Sequence, residues 1–173
     1  MPDLREQLQS CFAGRVCLMG LGNIDYGDDG FGVRLAEALA AAGMPDVVVA
    51  GTTPDRFIGR VVDGGFDSLI FLDAVEFGGA PGSVVFLNAG EMAARFPQIS
   101  THKISLGVLA QWVEASGSTR AWLLGVQPQS LKPGALLTTT MQSTLDALAG
   151  LLGEMAACAS ADSAIRNPQS AIA

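Results

Sequence analysis

RVCLMGLGNIDYGDDGFGVRLAEALAAAG, residues 15–43, reads as a strand, a loop and a helix in succession. Arg15 to Gly20 (RVCLMG) is a short apolar run of the kind that forms a buried strand. Leu21 to Gly30 (LGNIDYGDDG) is rich in Gly and Asp and reads as a loop. Leu35, Ala38, Leu39 and Ala42 then recur at i, i+3, i+4 and i+7, the spacing of one helix face, and Gly43 ends that helix.

The same alternation continues on both sides. Leu4, Leu8 and Phe12 predict a short N-terminal helix. Asp46–Ala50 (DVVVA) is a second strand, and Thr53-Pro54-Asp55 reads as a helix start with a capping hydroxyl, that helix closing near Gly64-Gly65. Ser68–Leu72 (SLIFL) is a third strand, with Asp73 directly after it. A Gly/Pro turn at residues 78–82 leads to Ser83–Leu87 (SVVFL), expected to be antiparallel because the link is short. Residues 88–101 read as a loop, followed by a helix with Leu106, Leu109, Trp112 and Val113 on one side. Ala121–Val126 (AWLLGV) is a further strand. Leu145, Leu148, Leu151, Leu152 and Met155 mark a C-terminal helix. Continuous apolar strands alternating with helices predict an α/β fold: one three-layer domain, a mainly parallel twisted sheet with one antiparallel strand, and helices on both faces. The domain is expected over residues 1–157, with 158–173 as a flexible, aperiodic tail.

Lys and Arg number 10 against 17 Asp and Glu, so the net charge is −7. An acidic surface repels phosphate backbones, which disfavours nucleic acid as a partner. The three cysteines, Cys11, Cys17 and Cys158, are far apart and odd in number, so neither a disulfide framework nor a cysteine zinc site is expected. The N-terminus (MPDLRE) carries acids where a secretory signal is basic, and no uninterrupted apolar stretch reaches the ~18 residues of a membrane span. These features predict a cytoplasmic protein without membrane contact; a monomer is expected.

In open α/β sheets, sites gather in the loops beyond the carboxyl ends of the strands. Gly20-Leu21-Gly22-Asn23 invites comparison with a dinucleotide-binding turn, but the third glycine of G-x-G-x-x-G falls on Asp25. Ala50 and Gly51 stand where a ribose-binding acid is needed, and Asp25, Asp28 and Asp29 would repel a pyrophosphate. Asp28 reads as a helix-capping acid, whereas Asp29 has two readings, cap or metal-facing carboxylate. Asp73, ending an apolar strand, needs no folding reason to be charged. If the first and third strands are neighbours, Asp29 and Asp73 face one another, and such a pair can share a proton or clamp a cation. His102, the single histidine, precedes a helix and can join them. Two carboxylates and an imidazole make an open site for a borderline divalent ion such as Zn, Ni or Fe. No G-x-S-x-G elbow is present, and no cysteine lies in an activated loop.

Four ordered segments carry a family resemblance: GLGNIDYGDDGFGVRLAEAL (20–39), FLDAVEFGGAPGSV (71–84), STHKISL (100–106) and LLGVQP (123–128). Over about Val16 to Met155 the chain resembles the [NiFe]-hydrogenase maturation proteases, endopeptidases that trim the C-terminus of the hydrogenase large subunit. The resemblance implies that Asp29, Asp73 and His102 are the metal-contacting and catalytic residues. It implies a large-subunit precursor as partner, with nickel supplied by that substrate and weakly bound or absent in the free enzyme. Cleavage would follow the histidine or arginine after the precursor's C-terminal cysteine motif. Asp25 departs from the apolar residue usual in the family. Two other readings compete: a non-enzymatic module that checks nickel on the precursor without cutting, and a peptidase of the same fold with another target.

Overall fold

The computed structural model describes residues 2–96 and 105–166. In chain order it runs α1 (Leu4–Phe12), β1 (Val16–Leu21), a 3-10 turn (Gly27–Gly30), α2 (Phe31–Ala41), β2 (Val47–Gly51) and α3 (Asp55–Asp63). Then come β3 (Ser68–Ala74), β4 (Val84–Asn88), α4 (Ala89–Arg95), α5 (Leu106–Ser116), β5 (Arg120–Val126) and α6 (Thr139–Arg166). The five strands form one sheet in the order β2-β1-β3-β5-β4. β1 pairs in parallel with both β2 and β3, β3 pairs in parallel with β5, and β4 is antiparallel to β5. The expected α/β architecture is therefore present, with β1 and β3 adjacent.

Side-chain alternation along the strands divides the core in two. Cys17, Met19, Leu69, Phe71 and Leu123 face one layer, built with Ile58, Val61, Met92, Leu109 and Val113 from α3, α4 and α5. Leu18, Ile70, Leu72 and Leu124 face the other, with Leu8, Leu35, Leu39, Leu148 and Leu152 from α1, α2 and α6. Strands sealed on both faces explain the uninterrupted apolar runs.

Glycine sets how close α2 lies to the sheet. A Cβ on Gly32 would run into the carbonyl oxygens of Leu72 and Leu21, and one on Gly20 would run into Gly32 O and Ala36 Cβ. The first turn of α2 thus rests on the carboxyl ends of β1 and β3, where both aspartate-bearing segments emerge. Gly43, at φ +86°, ends α2 as expected.

β4 is antiparallel as anticipated, and it pairs with β5 at the sheet edge. Several expectations need correction. Residues 89–95, read as loop, form α4, started by a capping box in which Asn88 Oδ1 accepts from Glu91 N and Glu91 Oε2 accepts from Asn88 N. Thr53 does not cap α3; its hydroxyl donates to Ala50 O, and helix geometry begins at Asp55 after Pro54. Trp112 is half exposed, while Leu106, Leu109, Ala110 and Val113 form the inner side of α5. α6 runs on through Arg166, so residues 158–166 are helical rather than an aperiodic tail. By length and composition, Thr139–Ile165 also suffices to cross a membrane. Its inner stripe (Met141, Leu145, Leu148, Leu152, Met155) is buried against the sheet layer.

Candidate active site

Asp73 is the penultimate residue of β3, inside the strand rather than after it, opposite Gly125 of β5. It is 2% exposed. Its Oδ1 is buried with no hydrogen-bond partner among the described residues. Asp29 lies in the 3-10 turn after β1 and is 8% exposed. Its Oδ2 accepts from Asn23 N at 2.9 Å. The two carboxylates are close enough that the charge on Asp29 acts on Asp73. Burial pushes the Asp73 carboxyl well above the usual carboxylate range, the Asp29 charge adds to this, and the Ala74 amide opposes it.

The β1 loop is shaped to bring them together. Gly22 has φ +117°, and a Cβ there would collide with Asp29 O and lie 3.7 Å from Asp73 Oδ1. A side chain at position 22 would thus enter the space between the acids. Asn23 Oδ1 accepts from Asp25 N at 3.0 Å, which turns the chain back toward Asp29. Asp25 itself is exposed on the outside of this turn.

Asp28 is not a helix cap. Neither the 3-10 turn nor α2 has a side-chain cap. Asp28 is fully buried and accepts from Gln129 N, Ser130 N, Thr138 N and Thr138 Oγ1, at 2.9, 2.9, 2.7 and 3.1 Å. It ties the β1 loop to the β5–α6 loop. Gln127, in the LLGVQP segment, was given no role by sequence. Its Oε1 accepts from three successive amides, Phe77, Gly78 and Gly79, at 2.9, 3.0 and 3.2 Å.

His102 lies outside the described residues, so the third member of the expected trio is not placed here. Among the described residues no group of three His, Cys, Asp or Glu side chains converges to hold a metal ion. Their share of the site is the acid pair, Asp29 and Asp73. An acid pair buried this deeply accommodates a proton or a cation far better than a second negative charge. Cys11 and Cys17 are buried, and burial together with Asp46 pushes Cys17 up to about 12, which does not suit a nucleophile.

Residues 33–154 match the family model for hydrogenase maturation proteases. This chain belongs to the hydrogenase maturation protease family. The matched span includes Asp73 and position 102, while Asp28 and Asp29 precede it. The Hydrogenase 2 maturation protease of Escherichia coli (strain K12) is 33% identical over 140 residues, 76% of this chain and 84% of the relative. The crystal structure of a [NiFe] hydrogenase maturation protease HycI from Thermococcus kodakarensis KOD1 superposes with a TM-score of 0.77 at 28% identity, covering 87% of this chain and 98% of that one. The hydrogenase maturating endopeptidase HybD from E. coli gives 0.67 at 28% identity, covering 83% and 91%. The family's members carry the same sheet and helix arrangement, and their names as proteases and endopeptidases support a peptidase here.

Proposed function

We propose that this chain is an endopeptidase that removes the C-terminal peptide of a nickel-loaded [NiFe]-hydrogenase large-subunit precursor, reading the substrate's nickel through Asp29, Asp73 and His102. Family membership supports the reaction class. The observation that carries the site is Asp73: a buried carboxyl with an orphaned oxygen beside a second acid. Leaving a buried polar atom without a partner is costly, and an arriving cation would satisfy it.

Asp29 is held by the Asn23 amide, so it meets the substrate with its orientation already set. Burial and the Asp29 charge favour the protonated form of Asp73, and binding a cation would favour release of that proton. The imidazole of His102 completes a donor set of mixed oxygen and nitrogen, suited to a borderline ion. The substrate's nickel would polarise the scissile carbonyl or a water beside it. With so few ligands from the chain, nickel binding to the free enzyme is expected to be weak.

The experiment compares precursor cleavage by the wild type with Asp29→Asn, Asp73→Asn and His102→Ala. Each variant is expected to lose at least about 100-fold in kcat/KM, as when one member of an acting unit is removed. Undiminished cleavage by Asp29→Asn and His102→Ala would sink the proposal. Precursor binding without release of any peptide by the wild type would mean a checking module instead.

A further inference from the structure

The LLGVQP segment is one of the stretches that carry the family resemblance, yet no residue in it has metal-ligating or acid–base chemistry. Its structural setting gives it a task. β5 ends at Val126, and the chain continues through Gln127, Pro128, Gln129 and Ser130 across the carboxyl edge of the sheet. Gln127 is held in place by its own backbone: its amide donates to Ser83 O and its carbonyl accepts from Gly82 N, both at 2.9 Å. One step earlier, Val75 N donates to Val126 O at 2.9 Å, so the chain just past Asp73 is already tied to this strand.

From this fixed base two arms reach out. The Gln127 amide oxygen gathers the N–H groups of Phe77, Gly78 and Gly79, the loop that leaves β3 after Asp73. The backbone amides of Gln129 and Ser130 grip one oxygen of Asp28, the residue preceding Asp29. Ser130 O also accepts from Asp28 N at 3.0 Å, and further along Gly134 N donates to Asp25 O at 2.7 Å. A Cβ on Gly27 would meet Ser130 O at 2.8 Å, so the two loops lie in direct contact.

We propose that residues 127–130, through the Gln127 side chain and through the Gln129 and Ser130 amides that hold Asp28, form a clamp that sets the placement of Asp29 relative to Asp73. Gln127 and Asp28 are positioning residues. They touch neither substrate nor nickel; they act through the two carboxylates. Hydrogen-bonded groups behind a ligand fix its orientation, and their loss costs 10–100-fold in affinity or activity. The geometry makes both arms specific. A glutamate at position 127 offers a carboxylate oxygen, a stronger acceptor, to the same three amides, while its second oxygen replaces the Nε2 donor that lies 3.4 Å from Pro128 O. An asparagine at position 28 turns one acceptor into a donor, and each Asp28 oxygen already faces at least one N–H, so at least one part-buried N–H must lose its partner.

The test uses the full chain with Gln127→Ala, Gln127→Glu and Asp28→Asn, read by precursor-cleavage kinetics and by amide hydrogen exchange. Gln127→Ala and Asp28→Asn are expected to lower kcat by about 10–100-fold with KM unchanged. Gln127→Glu is expected to restore most of the rate. Exchange should quicken at residues 77–79 in Gln127→Ala, and at Asn23 in Asp28→Asn, with the amides of β1 and β3 unaffected. Wild-type kcat in Gln127→Ala, a loss that Gln127→Glu does not restore, or exchange that quickens throughout β1 and β3 as much as at residues 77–79 would overturn the clamp. The cleavage arm rests on the endopeptidase reading. If the wild type cuts no precursor, that reading fails and exchange alone decides: local loss of protection supports the clamp, and unchanged protection rejects it.

Discussion

Asp73 shows what a buried acid costs a fold and what it offers a site. In the unfolded chain its carboxyl titrates near the ordinary value of about 3.9; in the folded chain burial and Asp29 hold it well above that. The folded state therefore keeps a proton that the unfolded state has released. The resulting stabilisation is present below the ordinary carboxylate value and is lost as pH rises through the raised one. Asp73→Asn removes this dependence. Its unfolding midpoint should match the wild type at pH 4 and exceed it at pH 8, as thermal melts across that range would show. An equal gap at both pH values would mean that Asp73 ionises freely. The thiols give a second check: at neutral pH under native conditions, an alkylating reagent should label exposed Cys158 and spare buried Cys11 and Cys17, with mass spectrometry counting one adduct. Asp73 stood out in the sequence because an acid at the end of an apolar strand has no packing role, whereas the residues around Asp29 left cap and metal-facing carboxylate both open. Asp28 was misread because its partners lie 101–110 residues away, beyond the reach of any local pattern.

Secondary-structure elements were legible where apolar spacing was strong, and less so where polar side chains set the boundary. The strands and α2 follow directly from their patterns. α4 is short and has only two buried residues, Ala89 and Met92, so periodicity barely shows; its N-x-x-E capping box, Asn88 to Glu91, was the available signal. The place of β4 beside β5 could not be read from its own residues. A short link fixes direction, whereas the neighbour depends on which edge of the sheet is open. Glycine positions make the sharpest prediction here. Gly32 lets α2 sit against the carbonyls of Leu72 and Leu21, which are backbone and cannot swing away. Gly32→Ala should destabilise by about 1–3 kcal/mol or more, measured by urea unfolding, as in overpacked cores. A variant as stable as the wild type would mean that the helix can shift without loss.

Across the whole molecule, α6 holds one face of the sheet closed. Leu148 and Leu152 are buried against α1 and α2, whereas residues 161–165 are exposed. Leu152→Ala should cost about 2–5 kcal/mol in urea unfolding. Deleting residues 161–173 should leave the unfolding midpoint near that of the full chain, because the described residues it removes, 161–165, are exposed. The exposed Arg5–Glu154 ion pair, at 3.2 Å, also joins α1 to α6 but contributes little. Three layers around a mainly parallel sheet were legible in the continuous apolar strands; the reach of α6 through Arg166 was not, because its alanine-rich end carries no apolar stripe. The fold delivers a buried acid pair to the carboxyl ends of β1 and β3, and we propose that this pair, with His102, reads nickel before the chain cuts. Intact mass of a large-subunit precursor, with and without nickel, after mixing with this protein tests that claim most directly. Loss of a short C-terminal peptide only from the nickel-loaded precursor is the expected result; equal loss from both, or from neither, would contradict it.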